Sequence, residues 1–209
     1  MRKNIQTLQN IVSRKGSSKI LTFSIPHVFK ALQMLSSEKF VSRATFGRET
    51  HLGEGAVKTL ILHLKQADMV DTTKSGTYLT EKGLKFIKQI QKILPKECTI
   101  KKSTVIQGKF NHAILLRKYS DSIKTGLEQR DYAILYGSSG CITILFKNNQ
   151  FVFPGDDKDC FENDLLTRKK LLEELSPQDK DVIIISSSDD PFVAEISAKN
   201  SALWTLATT

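Results

Sequence analysis

The chain contains little cysteine. Cys98, Cys141 and Cys160 are the three residues of this type among 209, and no two of them form a Cys-x-x-Cys pair. An odd number of widely spaced cysteines argues against a disulfide framework and against a zinc ribbon. Such usage is typical of proteins that work in a reducing compartment.

Long apolar segments are also missing from the sequence. No run approaches the roughly 20 residues that a membrane-spanning helix needs. The first residues are polar and basic, without the apolar core of a signal peptide. These absences predict a cytoplasmic protein that has no membrane partner.

The common catalytic and metal-binding motifs are absent as well. The sequence has no Gly-x-Ser-x-Gly elbow, Walker loop or dinucleotide fingerprint. The four histidines show no ligand spacing with the cysteines, and Asp156–Asp159 lacks the bidentate glutamate of a calcium loop. We therefore predict a protein that is not an enzyme and that needs no cofactor and no metal.

Charge is present in abundance but is unevenly distributed. Residues 1–102 hold 19 Lys and Arg against 7 Asp and Glu, a formal charge of +12, whereas residues 103–209 hold 12 against 15, a charge of −3. A basic half joined to a mildly acidic half suggests a domain that binds a polyanion and a second domain with another task.

Residues 1–24 form a basic lead-in to the first domain. Apolar residues recur there at helical spacing and predict a short amphipathic helix: Ile5, Leu8, Ile11 and Val12. The following Ser13–Lys19 segment has the composition of a flexible arm. The arm is interpreted either as a contact to DNA phosphate or as a solvated linker.

Residues 25–97 show the pattern of three helices followed by a hairpin. Pro26 stands early in the first helix, Ser42 is a good N-cap for the second, and a glycine-rich turn at 53–55 precedes the third. Apolar residues at helical spacing mark the buried face of the third helix: Val57, Leu60, Ile61 and Leu64. The hairpin spans residues 70–79, with Thr-rich flanks around Ser75-Gly76. This order predicts a winged helix-turn-helix domain.

In such a domain the third helix lies in a DNA major groove. Its outward face carries the expected contact residues: Gly55, Lys58, Thr59, Leu62 and Lys65. The lysines suit phosphates or guanine edges, and the Thr59 and Leu62 side chains suit a thymine methyl group. Lys74 at the hairpin tip and Arg43 and Arg48 on the second helix are expected to hold the DNA backbone. A solvated lysine face is the alternative interpretation.

The helix after the hairpin is longer than a three-helix core requires. Thr80 caps it, and Pro95 follows an apolar stripe along it: Phe86, Ile87, Ile90, Ile93 and Leu94. The stripe is consistent with a homodimer, which would let two wings bind two half-sites of double-stranded DNA. Packing against the C-terminal domain is the alternative, and the residue pattern does not decide between them.

Three motifs of this half resemble archaeal winged-helix regulators: Leu52–Leu60, the Leu-Lys-x-Ala-Asp-Met-Val run, and Leu79–Gly83. The resemblance covers about 70 residues. It implies the winged-helix fold, which serves in DNA binding and also in protein interaction.

Residues 103–209 alternate between short apolar runs and helical segments. Strands are expected at 112–116, 141–146, 150–153 and 181–185, and helices at 126–136, 161–175 and 191–206. The alternation predicts a small α/β domain with a mixed sheet, and an α+β class for the whole chain. The run at 181–185 is almost wholly apolar, which suits a central buried strand.

Two places in this half are candidate sites for a small-molecule effector. Asp131 shares a predicted helix face with Leu127 and Ile134, so its carboxylate would point inward toward a partner, which neighbouring Arg130 or a ligand could supply. Glu128 stands beside it. Ser186, Ser187 and Ser188 follow the best strand, where open α/β sheets place ligands. The alternatives are a partly exposed charge at Asp131 and, after the serines, a helix cap by an aspartate.

The segments Gly126–Ile134 and Tyr136–Gly140 resemble an uncharacterised archaeal family in which a domain of this kind follows a winged helix. The resemblance implies a transcription factor. We accordingly expect a DNA-binding transcriptional regulator whose C-terminal domain senses a small molecule or mediates oligomerisation. A winged-helix scaffold that binds another protein is the alternative.

Overall fold

The computed structural model of the chain describes residues 1–13, 21–101, 103–106 and 108–208. The predicted arm Ser13–Lys19 lies outside these residues, except for Ser13. Internal contacts divide the chain into two compact units, Met1–Ile90 and Gln91–Thr209. The first unit has 15 Lys and Arg against 6 Asp and Glu, whereas the second has 16 of each kind, so the excess positive charge belongs to the first.

The N-terminal unit is a winged helix-turn-helix preceded by one further helix, as the sequence predicts. Its elements are α1 (Arg2–Ile11), α2 (Ile25–Ser37), α3 (Arg43–Thr50), α4 (Glu54–Gln66), β1 (Val70–Thr73), β2 (Gly76–Leu79) and α5 (Glu81–Gln91). The two strands pair as an antiparallel hairpin, which is the wing.

Helix α1 is an integral part of this unit. Its apolar residues Ile5, Leu8 and Ile11 are buried. The carbonyl oxygen of Ile11 lies 2.6 Å from Nδ1 of His63 on α4, so the end of α1 is bonded to the third helix of the bundle. The predicted amphipathic helix is thus confirmed and has a packing role.

The predicted caps and the predicted buried face are also present. The Ser42 hydroxyl accepts a hydrogen bond from the Thr45 N–H (3.0 Å), and the Thr80 hydroxyl accepts one from the Gly83 N–H (3.0 Å). Each cap satisfies an N–H group that a helix start leaves unpaired. All four apolar residues predicted for the inner face of α4 are buried: Val57, Leu60, Ile61 and Leu64.

Two glycines permit close approaches that position the wing and α5. Gly76 adopts a φ of 134°, and a Cβ there would lie 2.8 Å from the Val41 carbonyl oxygen. A Cβ on Gly83 would lie 1.9 Å from the Met69 carbonyl oxygen. Because glycine has no side chain, α5 can pack directly against the backbone that connects α4 to β1.

The apolar stripe of α5 is covered within the single chain. Phe86, Ile87 and Ile90 are at most 8% exposed, Leu94 is also buried, and Ile93 is half-buried. A stripe that is already covered is not available to a second subunit. The structure therefore does not support the interpretation in which α5 supplies the surface of a homodimer.

The C-terminal unit contains five strands and three α-helices among its described residues. They are β3 (Glu97–Ile100), β4 (Phe110–Leu116), α6 (Leu127–Ile134), β5 (Gly140–Lys147), β6 (Gln150–Val152), α7 (Leu165–Leu175), β7 (Asp181–Ser188) and α8 (Pro191–Thr208).

The five strands form one sheet in the order β3-β4-β7-β5-β6, and every neighbouring pair is antiparallel. The α+β class is confirmed, but the predicted mixed sheet is wrong. The α6 connection does return β5 in the same direction as β4, as a β-α-β unit should. The late strand β7 then inserts between these two strands, which makes each of its pairings antiparallel.

The sheet is enclosed by helices on both faces. Helix α7 covers one face through Leu171 and Leu175, which pack with Ile183 and Ile185 of the central strand. Helices α6 and α8 cover the other face. The central strand β7 is buried along its whole apolar run, as its composition predicts.

One strand and two boundaries differ from those that the sequence suggests. Strand β3 is not predicted from the sequence, because four residues after a proline are too few to show an alternating pattern. This strand places Glu97 in the sheet of the second unit, whereas the sequence suggests that the first domain extends to residue 97. Helix α7 begins at Leu165 and not at Phe161, because the Asp164 side chain accepts a hydrogen bond from the Thr167 N–H (3.1 Å) and caps the helix there.

Candidate nucleic-acid interface

The face of α4 that the sequence predicts to be outward is indeed outward. Gly55, Lys58, Leu62 and Lys65 are exposed, and Thr59 is half-buried. The opposite face is held in the bundle core by the four buried apolar residues. The helical register that was deduced from apolar spacing is therefore correct.

The wing projects beside this face. Thr73 pairs with Gly76, so the tip consists of Lys74 and Ser75, both exposed. The tip lies one residue earlier than the Ser75-Gly76 turn expected from sequence, because Gly76 already belongs to the second strand. Lys74 occupies the tip as predicted.

A groove of about 590 Å³ separates the start of α3, the outer face of α4 and the wing. Four basic side chains from these three elements line it: Arg43, Lys58, Lys65 and Lys74. Because the residues are far apart in sequence, only the packing of the wing against the bundle brings their charges into one groove. A groove lined by cations can bind the phosphates of a nucleic acid backbone.

Two of these four cations already have acidic partners. The Lys58 ammonium lies 2.8 Å from the Glu54 carboxylate, and the Lys65 ammonium lies 2.8 Å from the Asp71 carboxylate. The hydrogen bonds from these lysines hold the pKa of each carboxyl below its ordinary value, so both carboxylates are ionised at neutral pH. The pairs are exposed to solvent, where a phosphate can exchange for a carboxylate with little cost.

Arg43 and Lys74 differ from those two lysines. Neither forms a salt bridge with any part of the chain that the structure describes. The Arg43 charge does act on Glu54, whose pKa it helps to lower, but without a contact within salt-bridge distance. A cation that is not held in a close ion pair is more readily available to an incoming anion. We therefore expect these two residues to contribute most to phosphate binding in the groove.

Thr59 and Leu62 have unequal access to a ligand. The Thr59 hydroxyl donates to the Gly55 carbonyl oxygen one turn earlier (3.0 Å), which occupies its donor and leaves the methyl group and one acceptor site. Leu62 lines the groove and is 52% exposed. Of the two, Leu62 is better placed for an apolar contact.

Arg48 is exposed but is not among the residues that line the groove. It pairs with the adjacent Glu49, 2.9 Å away. The sequence missed neutral groove residues, chiefly Ser42 at the start of α3 and Thr72 and Thr77 on the wing. Alternation along the hairpin indicated which wing residues share a face, but not which face meets α4.

The effector site predicted on α6 is not formed. Leu127, Asp131 and Ile134 do share a helix face, but that face is exposed, and Gln129 and Ala133 are buried instead. The expectation that the apolar residues point inward was therefore wrong, and the Asp131 carboxylate does not enter the domain. The Asp131 carboxylate lies 3.5 Å from the guanidinium of the adjacent Arg130 at the surface.

Helix α6 buries a polar face because α8 presents polar side chains to it. Ser201 donates to the Gln129 carbonyl oxygen (2.7 Å), Asn200 donates to the Tyr132 carbonyl oxygen (2.7 Å), and Gln129 donates to the Thr205 hydroxyl (3.2 Å). Hydrogen bonds to the α6 backbone therefore replace apolar contacts at this interface. Glu128 and Arg130 are left in solvent.

The three serines are part of strand β7 and do not form a loop after it. Ser186 donates to the Ser138 hydroxyl (2.9 Å), and Ser187 donates to Asn111 Oδ1 (2.6 Å). The Ser188 hydroxyl accepts from the Asp190 N–H (3.3 Å). Their hydroxyls thus tie strands and loops together. The alternative, a helix capped by an aspartate, is correct: Asp190 Oδ1 accepts from the Val193 N–H (2.9 Å).

Among the described residues, no three or more His, Cys, Asp and Glu side chains cluster closely enough to hold a metal ion. No described helix combines the length and the apolar character that crossing a membrane requires.

The comparisons with known proteins concern the fold. Residues 106–206 match a family model described as a domain of unknown function, DUF4443. A solved structure, that of a hypothetical protein from Pyrococcus horikoshii OT3, is similar to the chain with a TM-score of 0.69 and 24% sequence identity. The similarity covers 86% of this chain and 91% of that one. No curated protein matches the chain.

These matches agree with the archaeal resemblance of the sequence to the extent that the similar structure belongs to an archaeal protein. The similar structure spans 86% of this chain and so extends into both units, whereas the family model matches only residues of the second unit. Neither the family description nor the name of the similar structure states a function.

Proposed function

We propose that this protein is a transcriptional regulator that binds double-stranded DNA through its N-terminal unit. Helix α4 would enter the major groove, and the wing would lie along the backbone beside it. The proposal places the protein in the cytoplasm, where it would meet DNA. It agrees with the archaeal winged-helix regulators that the sequence resembles.

The observation that carries this proposal is the basic groove. Arg43, Lys58, Lys65 and Lys74 come from three elements and line one cleft on a unit whose net charge is strongly positive. Neutral hydroxyl groups on the same walls suit additional hydrogen bonds to phosphate oxygens. The arrangement supports contact with a backbone, and the exposed α4 side chains support contact with base edges.

The test is a titration of the full chain with mixed duplex DNA at about 50 mM and about 200 mM salt. Phosphate contacts release condensed counterions, so the logarithm of the affinity should fall linearly with the logarithm of salt concentration. A chain that fails to bind any duplex at the lower salt concentration contradicts the proposal.

A homodimer remains part of the proposal, because two wings would then bind two half-sites. With the α5 stripe covered, we expect the contact elsewhere. Helix α6 exposes Leu127 and Ile134, and Leu135 directly after the helix is also exposed. Sedimentation of the wild type and of a Leu135→Glu variant tests this expectation, and a wild type that stays monomeric at high concentration contradicts it.

The exposure of Leu62 favours a second candidate, a scaffold that binds another protein through the same face. An apolar side chain that lines the groove and is 52% exposed suits an apolar partner surface. A pull-down that survives nuclease treatment and is lost in Leu62→Ser supports this candidate. Partners that disappear with nuclease support DNA binding instead.

A further inference from the structure

A second cavity, of about 620 Å³, lies within the C-terminal unit. The ends of β3 and β4 form one side of it, and the first turns of α7 and α8 form the other. Its volume falls in the range of cavities that hold small organic ligands. None of the residues predicted from sequence to bind an effector lines it.

The charged residues around this cavity are mostly cations. Lys101, Lys109 and Lys170 line it, and Lys109 lies 5.3 Å from the Phe110 ring centroid. Lys170 also has a partner outside the cavity lining, Glu174, 3.4 Å away and half exposed. A unit with equal numbers of acidic and basic residues thus concentrates positive charge at one cavity.

Asp164 is the one carboxylate among the described lining residues, and its oxygens are already engaged. They accept from the Thr167 N–H (3.1 Å) and hydroxyl (2.9 Å) and, more weakly, from the Thr104 N–H (3.4 Å). Burial raises its pKa, but these hydrogen bonds outweigh burial and hold the pKa below its ordinary value. The carboxylate therefore acts as the cap of α7 and offsets only part of the lysine charge.

The rest of the lining is largely apolar. Ile100, Phe110 and Ala194 contribute hydrocarbon surface, and Leu166 also lines the cavity although it is 84% exposed. A ligand with an apolar body would cover Leu166, which the protein itself leaves in water. Burial of such surface is favourable in proportion to its area.

His112 forms part of the cavity wall and connects it to a buried charge network. Its Nε2 lies 3.3 Å from the Glu97 carboxylate, which also pairs with the fully buried Lys199. Lys199 in turn contacts Glu195, 3.3 Å away. These paired charges fix strand β3 against α8, so the wall that carries His112 is rigid before any ligand binds.

From this cavity we infer a binding site for a small organic anion that combines an apolar body with one acidic group. The lysines would take the acidic group, and the Phe110 and Leu166 side would take the apolar body. Strand β3, which lines the cavity, begins after a connection of five residues from the end of α5. The ligand would therefore contact a strand that follows the winged helix directly in the sequence. Control of DNA binding by this ligand rests on the proposed function, whereas ligand binding itself does not.

The test uses the imidazole resonances of the full chain, without DNA. Of the four histidines, His112 alone lies in the C-terminal unit. Naphthalene-2-sulfonate is the probe, and inorganic sulfate and 2-naphthalenemethanol are its matched controls. We expect the sulfonate to shift the His112 signals saturably, at lower concentration than either control, and to leave the other three histidines unchanged.

Variants then locate the acidic group. Lys170→Gln together with Lys101→Gln should lower the affinity for the sulfonate about tenfold, since each exposed ion pair raises affinity about two- to fivefold. Lys169→Gln is the matched control on α7, because Lys169 pairs with Glu173 and is absent from the cavity lining, and it should bind as the wild type does.

Four results overturn the inference: no shift of His112 up to millimolar sulfonate, equal shifts with sulfate, equal shifts with the neutral alcohol, or equal weakening in the Lys169→Gln control. Because DNA is absent, failure here leaves the proposed function standing. Failure of duplex binding likewise leaves the ligand site standing.

Discussion

Two lysines of this protein pair with a glutamate one helical turn earlier, in opposite surroundings. On α4, Lys58 and Glu54 have side chains that are 54% and 77% exposed. On α8, Lys199 and Glu195 have side chains that are 1% and 20% exposed. The spacing is the same in both helices. The first pair can exchange its partner for a phosphate, whereas the second is locked into a network with Glu97 and His112.

This difference extends to the units that contain the two pairs. The N-terminal unit keeps its excess charge at the surface, where it is available to a ligand. The C-terminal unit is neutral in sum, and it uses buried charges to join strand β3 to α8, and Arg117 to Asp181. Location rather than residue type therefore decides whether a lysine acts in binding or in stability.

The largest expected effect comes from making one change in both pairs. Lys199→Met keeps the aliphatic stem but removes the buried ammonium that pairs with Glu97 and Glu195, so the free energy of unfolding should fall by about 3–5 kcal/mol. Lys58→Met removes an exposed cation and should leave stability unchanged within error. Urea unfolding of both variants measures the difference, and equal losses would contradict the comparison.

We expect a moderate fall in pH to reduce the stability of the N-terminal unit but not that of the C-terminal unit. Burial, together with the nearby Lys30 and His51, lowers the pKa of His27 in the N-terminal unit from 6.5 to about 4. As the pH falls, this histidine therefore takes up a proton in the unfolded chain at a higher pH than in the folded chain. This histidine therefore contributes at most about 3 kcal/mol of stability above pH 6.5, which is lost as the pH falls toward 4.

Glu97 in the C-terminal unit behaves differently. Burial raises its pKa, but Lys199 and His112 outweigh burial and lower it from 4.5 to about 2. Its contribution is complete above pH 4.5 and is lost only as the pH falls toward 2. Hydrogen exchange at pH 5 and pH 7 should thus show weaker protection of α2 at pH 5 and unchanged protection of β3. A His27→Asn variant should lack the change in α2, and a change that persists there contradicts the assignment.

A smaller effect is expected on the recognition face. Lys58→Ala together with Leu62→Ala should narrow the gap between specific and random duplex by about 1–3 kcal/mol for each good base contact that is lost. Thr59→Ala alone should do less, because its hydroxyl is bonded to the Gly55 carbonyl oxygen. Competition binding against random duplex provides the measurement. An unchanged specificity ratio in the double variant would show that α4 does not contact base edges.

The N-terminal unit was largely predictable because its elements follow local rules. Apolar spacing fixed the register of α4, and Ser42 and Thr80 marked helix starts through side-chain caps. The groove itself was not predictable, since Arg43 and Lys74 meet only after the wing packs against the bundle. Their individual exposure was predicted, but their sharing of one cleft was not.

The C-terminal unit shows where such rules fail. Helix α6 was assigned the wrong buried face because α8 offers it hydroxyl and amide groups, so Gln129 and Ala133 face inward in place of Leu127. The position of β7 between β4 and β5 depends on spatial order, which a sequence of strands and helices does not contain. The cavity near His112 could not be predicted from the sequence, because its walls come from four separate elements.

The central claim, that the basic groove binds duplex DNA, is tested most directly by two variants of equal charge. Arg43→Gln with Lys74→Gln removes the two groove cations that form no salt bridge among the described residues, and Lys85→Gln with Lys88→Gln removes two exposed cations from α5. The log–log salt dependence of duplex binding should lose about two units of slope in the groove variant and stay unchanged in the α5 variant. Equal loss of slope in both variants would mean that net charge, and not the groove, binds the DNA.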